Sequence, residues 1–469
     1  MSPILALRAL LEVISNSVDA IENRCRSRGL AFPSLDDPLV VDGESVQDDA
    51  AVQQAATLIT SAAYQLIATV QQPRKTIFAA ACNYYLPVSL RVATETNVVE
   101  ILRDAGPEGL HVDEIAQQNG LDPPKLSRIL RRLATNHIFR EVRPDVFANN
   151  RLSSVCDTGK SVEELRARPL EKHEGTNGIP ALIGHCTDED YKGAGYILEH
   201  LTDPETAFEE GPKRTAMMRA FNWTTDVWTW FEQPFNKARF MRFGEAMNGV
   251  SNMQSIDSIF RGFSWESLQS ESVVVDVGGG IGTSSLALAE RYPELRLIVQ
   301  DRLPVIEQGI KNLRSNWLRD NVVQYAAHDF FEEQSQKNAA VFLLKQILHD
   351  WSDSYAIRIL RRLADAANTG TKLVLIENIV PYACRGDVVH IPGAENQDAP
   401  TPLLPNLGQA NALVYDYDLS MYVHFNATER TLGQLVSLLE KGGWKAVRVH
   451  STDHWGGFLQ QIISIPMIS

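Results

Sequence analysis

The sequence predicts an α/β protein: an open, Rossmann-like sheet of seven strands behind an N-terminal helical and winged-helix unit. Three observations predict it. Apolar strand candidates at 273–277, 295–300, 322–327, 341–347 and 372–379 have helical stretches between most of them. The first ends in Asp276-Val277-Gly278-Gly279-Gly280-Ile281-Gly282-Thr283, a strand breaking into a bare turn and then a helix. Upstream, helix, turn, helix and a two-strand wing follow one another over 111–148.

At the N-terminus, 1–28 and 48–72 read as helices separated by an acidic, proline-containing loop, 32–47. Val52, Ala55, Ala56, Ile59, Ala63, Leu66 and Ile67 share one face of the second helix, and Pro73 ends it. Val88 to Leu102 predicts one further helix, stopped by Gly106-Pro107-Glu108-Gly109. The winged helix is built from a helix at 111–118, a turn at Asn119-Gly120-Leu121-Asp122 and a helix entered through Pro123 and Pro124. Strands 138–142 and 146–148 complete it. Residues 158–265 read as mostly helical. Their aromatic stretch, with Phe221, Trp223, Trp228, Trp230, Phe231, Met241, Phe243 and Met247, suits either a core or the lining of a flat apolar pocket. The last two strands, 445–450 and 458–465, have only a short link and are expected to pair antiparallel. The connection 381–411 reads as a surface excursion or lid. The expected division is 1–160, 161–265 and 266–469.

Composition narrows the function classes. A net charge of -14 over 469 residues argues against nucleic-acid and anionic-membrane partners. It also favours a scaffold or dimerisation role for the winged helix, despite Arg128, Arg131 and Arg132. Cys25, Cys82, Cys156, Cys186 and Cys384 form neither a metal-ligand pair nor a disulfide framework, as expected of a reducing, cytoplasmic setting. The first 21 residues lack signal-peptide character, and no apolar run is long enough to span a membrane.

The glycine turn lacks the last glycine of the dinucleotide fingerprint, Thr283 standing there, and carries an acid two residues ahead of it. A carboxylate suits a cationic ligand, which points to S-adenosylmethionine at Asp276, Gly278 and Gly280. Asp301, ending the second strand, is placed for ribose hydroxyls. Asp329 and Phe330, after the third, are placed for an adenine amino group and ring face. Past the fourth strand, Lys345-Gln346-Ile347-Leu348-His349-Asp350-Trp351 puts an imidazole on the same edge. A phenol loses its proton only near pH ~10 unaided, and a neutral imidazole within reach is the natural base. Glu377 interrupts the fifth strand and Glu429 stands in Thr428-Glu429-Arg430-Thr431; either is placed to orient the ring, and each also reads as an ordinary strand-end or first-turn acid.

On these motifs, over about 95–465, the chain resembles the caffeate-type small-molecule O-methyltransferases of plants and fungi, especially the fungal branch. The resemblance implies a class I methyltransferase sheet with an N-terminal dimerisation domain. It implies S-adenosylmethionine at Gly278, Asp301, Asp329, Phe330 and Lys345, with His349 as base flanked by Glu377 and Glu429. It further implies a metal-independent reaction, a homodimer, and acceptor contacts from Phe243 and Met247, beside Asp350. The chain departs from the family in its long N-terminal extension, the 381–411 excursion, and Gln346 where plant members often carry Trp. An alternative from the same resemblance is a relative that keeps the cofactor but dehydrates or closes rings pericyclically.

Overall fold

The computed structural model describes residues 2–39, 44–253, 256–312, 322–386, 389–394, 399–451 and 458–467. All seven predicted strands form: β4 (Val273–Val277), β5 (Arg296–Asp301), β6 (Val323–Ala327), β7 (Ala339–Lys345), β8 (Lys372–Glu377), β9 (Trp444–His450) and β10 (Gln460–Pro466). Their order across the sheet is β6-β5-β4-β7-β8-β10-β9. β4 to β8 run parallel, and β10 is antiparallel to both β8 and β9, as expected; most of the link between the last two lies outside the described residues. The chain winds outward from β4 to β6, then returns to lay β7 against β4. That reversal opens a crevice at the carboxyl ends of β4 and β7. Val275, Phe342, Leu344, Leu373 and Leu375 pack one face of the sheet, and Val274, Leu297, Val299, Leu343 and Val374 the other. This two-sided burial explains why the strands read as continuous apolar runs.

The winged helix gains a strand that the sequence reading missed. β1 (Leu110–His111) pairs with β3 (Val146–Ala148), which pairs with β2 (Arg140–Arg143). Arg131 is held by Glu141 and Asp145, so its charge is spent within the unit. The single helix expected over 88–102 is two, Tyr85–Glu95 and Val98–Ala105, broken where Asn97 adopts a left-handed φ of 58°. Pro73 ends one helix and also opens another, Pro73–Ala81, as proline at a first helical position does.

The 381–411 excursion is not a free lid in its described parts. Ala399, Leu403 and Leu407 pack with Leu10 and Ala62 of the N-terminal helices Pro3–Arg28 and Ala50–Val70. Gln65 Nε2 donates to Pro402 O at 2.8 Å, and Val449 N–H to Pro392 O at 2.9 Å. Five apolar side chains outweigh the polar composition that suggested a solvent-facing loop. Among the described residues no helix is long and apolar enough to cross a membrane.

Candidate active site

The glycine turn caps β4. Gly278, Gly280 and Gly282 have φ of 71°, 59° and 89°, conformations that side chains disfavour. A Cβ on Gly280 would meet nothing within 4 Å, so the turn presents open backbone to the crevice. Gly280 N–H donates to Asp301 Oδ2 at 2.8 Å, which sets the carboxylate ending β5 beside the turn. A backbone cradle with an acid at its edge fits a nucleoside bearing a cationic sulfonium.

Asp276 lies under the same turn. It is 2% exposed, lies beneath Gly279, and accepts the Ser285 hydroxyl at 2.7 Å. Burial raises its pKa to about 6, against the opposing effects of Ser285 and Lys345. The acid sits one residue short of the strand's end, where its side chain supports the turn from below. Lys345, ending β7, is nearby; burial lowers its pKa and Asp276 opposes the change. Asp329 is exposed and accepts Phe331 N–H at 2.9 Å, while Phe330 packs edge-on against Phe331 and Trp351.

The base candidate is held more tightly than its motif reveals. After β7, Gln346 adopts a left-handed φ of 53° and a single 3-10 turn, Leu348–Asp350, carries His349. Ile347 lies so close over the glycine turn that a Cβ on Gly278 would come within 2.6 Å of its Cδ1. The turn bearing the imidazole and the turn bearing the cradle are therefore in contact. His349 Nδ1 lies 2.8 Å from Glu429 Oε1, and its Nε2 lies 3.5 Å from Asp350 Oδ1. Burial alone would lower the His349 pKa, but Glu429, Asp350 and Glu377 together raise it to about 10. Burial also raises Glu377 to about 7 and Asp350 to about 6.

Of the two acids predicted to orient the ring, only Glu429 bonds it. Glu377 Oε1 instead accepts the N–H groups of Ile347 and Leu348, at 3.1 and 2.8 Å, fixing the backbone of the turn. Arg430, unremarked at the sequence level except as part of its motif, donates to Leu348 O at 2.8 Å and Trp351 O at 2.7 Å, clamping the turn at both ends. Asn378 and Asp418 also reach Glu429, and sequence spacing gave no sign of either. One ligand atom from each of His349, Glu377 and Glu429 lies within 4.8 Å of the others, a set that a divalent cation would also accept. His349, Glu377, Asn378, Thr428 and Glu429 line a small cavity of about 10 Å³.

The aromatic stretch packs as one cluster with differing burial. Trp230 and Phe231 are core, whereas Trp228, Phe243 and Met247 are only half-buried. Phe243 contacts Phe231 and Trp228, and Arg302, next to Asp301, stacks over Trp228 at 5.5 Å. Arg302 thus links the aromatic cluster to the end of β5.

Comparison with known proteins adds to this geometry. A model of the O-methyltransferase domain matches residues 203–390, and one of the O-methyltransferase dimerisation domain matches 78–158. The chain is 42% identical over 467 residues, 98% of its length and 99% of the relative's, to 4-O-methyltransferase 1 of Phanerochaete chrysosporium. A solved structure described as a pericyclic reaction enzyme superposes with a TM-score of 0.67 at 17% identity, over 88% of this chain and 95% of that one. LepI in complex with SAM superposes with a TM-score of 0.66 at 18% identity, over 90% and 96%. At such identities the two structures share the fold, and fold alone does not fix the reaction.

Proposed function

The chain belongs to the S-adenosylmethionine-dependent O-methyltransferase family, and from that premise we propose that it methylates a hydroxyl of a small phenolic or polyketide-type acceptor, with His349 as general base. The observation that carries this reading is the contact between the two turns: Ile347 lies over Gly278, two residues before an imidazole whose Nδ1 is taken by Glu429. Nε2, which lies 3.5 Å from Asp350 Oδ1, is then the nitrogen assigned to receive the acceptor proton.

The bound cofactor supplies an electrophilic methyl group. Gly278, Gly280, Asp301, Asp329, Phe330 and Lys345 are the residues assigned to hold it, with Asp276 supporting the turn. Phe243 and Met247 are assigned to the acceptor's flat face and Asp350 to its polar edge. His349 draws the hydroxyl proton, so that the oxygen becomes a competent nucleophile, and Glu429 steadies the imidazolium that results. Glu429 Oε1 faces two donors, His349 Nδ1 and Asn378 Nδ2, which supports a hydrogen-bonded base set over a metal centre. The functional unit is taken as a homodimer formed through the N-terminal domain.

The test is a panel of phenols and polyketide aromatics incubated with S-adenosylmethionine, with and without a chelator. The expected result is addition of one methyl group per S-adenosylhomocysteine released, unchanged by the chelator. A product isomeric with its substrate, formed without cofactor consumption, would overturn methyl transfer in favour of ring chemistry. Loss of turnover on chelation would overturn the metal-free base.

A further inference from the structure

We infer that Asn378 is a positioning residue for the His349–Glu429 pair, an inference that rests on His349 being the base. Its Nδ2 donates to Glu429 Oε1 at 2.9 Å, the oxygen that also lies 2.8 Å from His349 Nδ1. The orientation of the amide is fixed chemically. Leu459 N–H donates to Asn378 Oδ1 at 3.1 Å, so the amino group must face the carboxylate. Asn378 is 2% exposed and Glu429 3%, and at such burial solvent offers little competition for these bonds.

The backbone explains how two residues 51 positions apart meet. Just past β8, Ile379 bridges Arg430 in parallel, and Val380 N–H donates to Arg430 O at 3.0 Å. That short pairing sets position 378 against position 429. On the opposite side Asp418 Oδ1 accepts Glu429 N–H at 2.9 Å and the Thr428 hydroxyl at 2.8 Å. The backbone of residue 429 is therefore tied to the helix Ala412–Phe425, while its carboxylate is held from the exit of β8. With Asn378 and His349 on one oxygen, Glu429 cannot turn away from the ring without breaking both bonds.

The amide also acts electrically. Its donor end stabilises the Glu429 carboxylate and slightly opposes positive charge on the imidazole. Removing it strengthens the grip of Glu429 on the ring proton and makes the neutral base harder to form. The charged and titratable groups facing the ring are Glu429, Asp350 and Glu377, with Tyr417 and Asp418 close to Glu429 and Arg430 bonded to the turn that carries the ring.

Two variants test the inference. N378D keeps the size and the acceptor for Leu459 but replaces the donor with a second acid; N378L removes both polar functions. Single-turnover methyl transfer is measured across pH, cofactor affinity by calorimetry, and folding by thermal denaturation. N378D is expected to lose roughly tenfold or more in rate at neutral pH, below the full effect of a general base. Its pH midpoint should move upward with cofactor affinity unchanged, and N378L should lose rate with a smaller midpoint shift. A folded N378D with the wild-type rate and midpoint, or one losing cofactor affinity in step with rate, overturns the inference; should N378D not fold, N378L decides on the same terms. H349A separates this outcome from failure of the underlying reading. If H349A is active the base assignment itself falls, whereas an inactive H349A beside an unaffected N378D removes only the role of Asn378.

Discussion

At the scale of single residues, the proposed chemistry depends on a histidine whose surroundings favour its charged form. Burial disfavours the imidazolium, yet Glu429, Asp350 and Glu377 outweigh it and raise the pKa to about 10. A general base works only when neutral, so at neutral pH the free enzyme holds most of its His349 in the unproductive state. Since kcat/KM reports ionisations of the free enzyme, it should climb with pH through neutrality toward the alkaline range. A bound sulfonium adds positive charge to the same crevice and disfavours the imidazolium, so kcat should reach its plateau at lower pH than kcat/KM. Parallel profiles rising at the same pH would contradict this coupling. His349→Ala should lower the rate by about 10²–10⁴-fold, the usual worth of a positioned base, while calorimetry finds cofactor affinity little changed. The sign for stability runs the same way as for charge. With its pKa raised from 6.5, His349 stabilises the fold fully below that value and loses the contribution as pH rises through about 10.

At the scale of elements, the described part of the excursion next to the helix Ala412–Phe425 is braced against the N-terminal helices. Leu403 is 5% exposed and packs against Leu10 and Ala62, so Leu403→Ala should cost about 2–4 kcal/mol, as a buried leucine truncation does. A lowered melting temperature, with faster proteolysis of the excursion, is the expected readout; an unchanged melting temperature would mean that the brace carries no stability. This contact also marks the boundary of what the sequence discloses. The strands, the glycine turn and His349 were legible because each carries a local pattern: a continuous apolar run, missing side chains, a polar residue just past a strand. Asn378, Asp418 and the docking of Leu403 were not, because each is defined by a partner set by the fold: 51 residues away for Asn378, 11 for Asp418, and, in the seam of Leu403, 337 for the Gln65–Pro402 bond. The break at Asn97 went unseen for another reason: apolar spacing continues through it, and only the left-handed backbone reveals two helices.

At the scale of the whole molecule, one region makes no sense in an isolated chain. The helix Pro73–Ala81 has no buried residue, yet Ile77 and Phe78 are 71% and 72% exposed. Tyr84, Tyr85 and Val88, a few residues further along the chain, are 45%, 54% and 40% exposed. Monomeric proteins seldom leave such a patch in water, and here it overlaps the start of the matched dimerisation domain at residue 78. A second copy of the chain is the occupant whose chemistry fits, because a two-fold interface sets the same apolar patch against itself. Sedimentation should therefore give twice the 52.2 kDa of one chain. Phe78→Asp should shift the mass to that of one chain without changing the circular dichroism, since each acid enters a two-fold interface twice and Phe78 makes no contribution to the core of its own protomer. A wild-type chain sedimenting at 52.2 kDa, or a Phe78→Asp variant still at twice that mass, would place the dimer elsewhere or remove it.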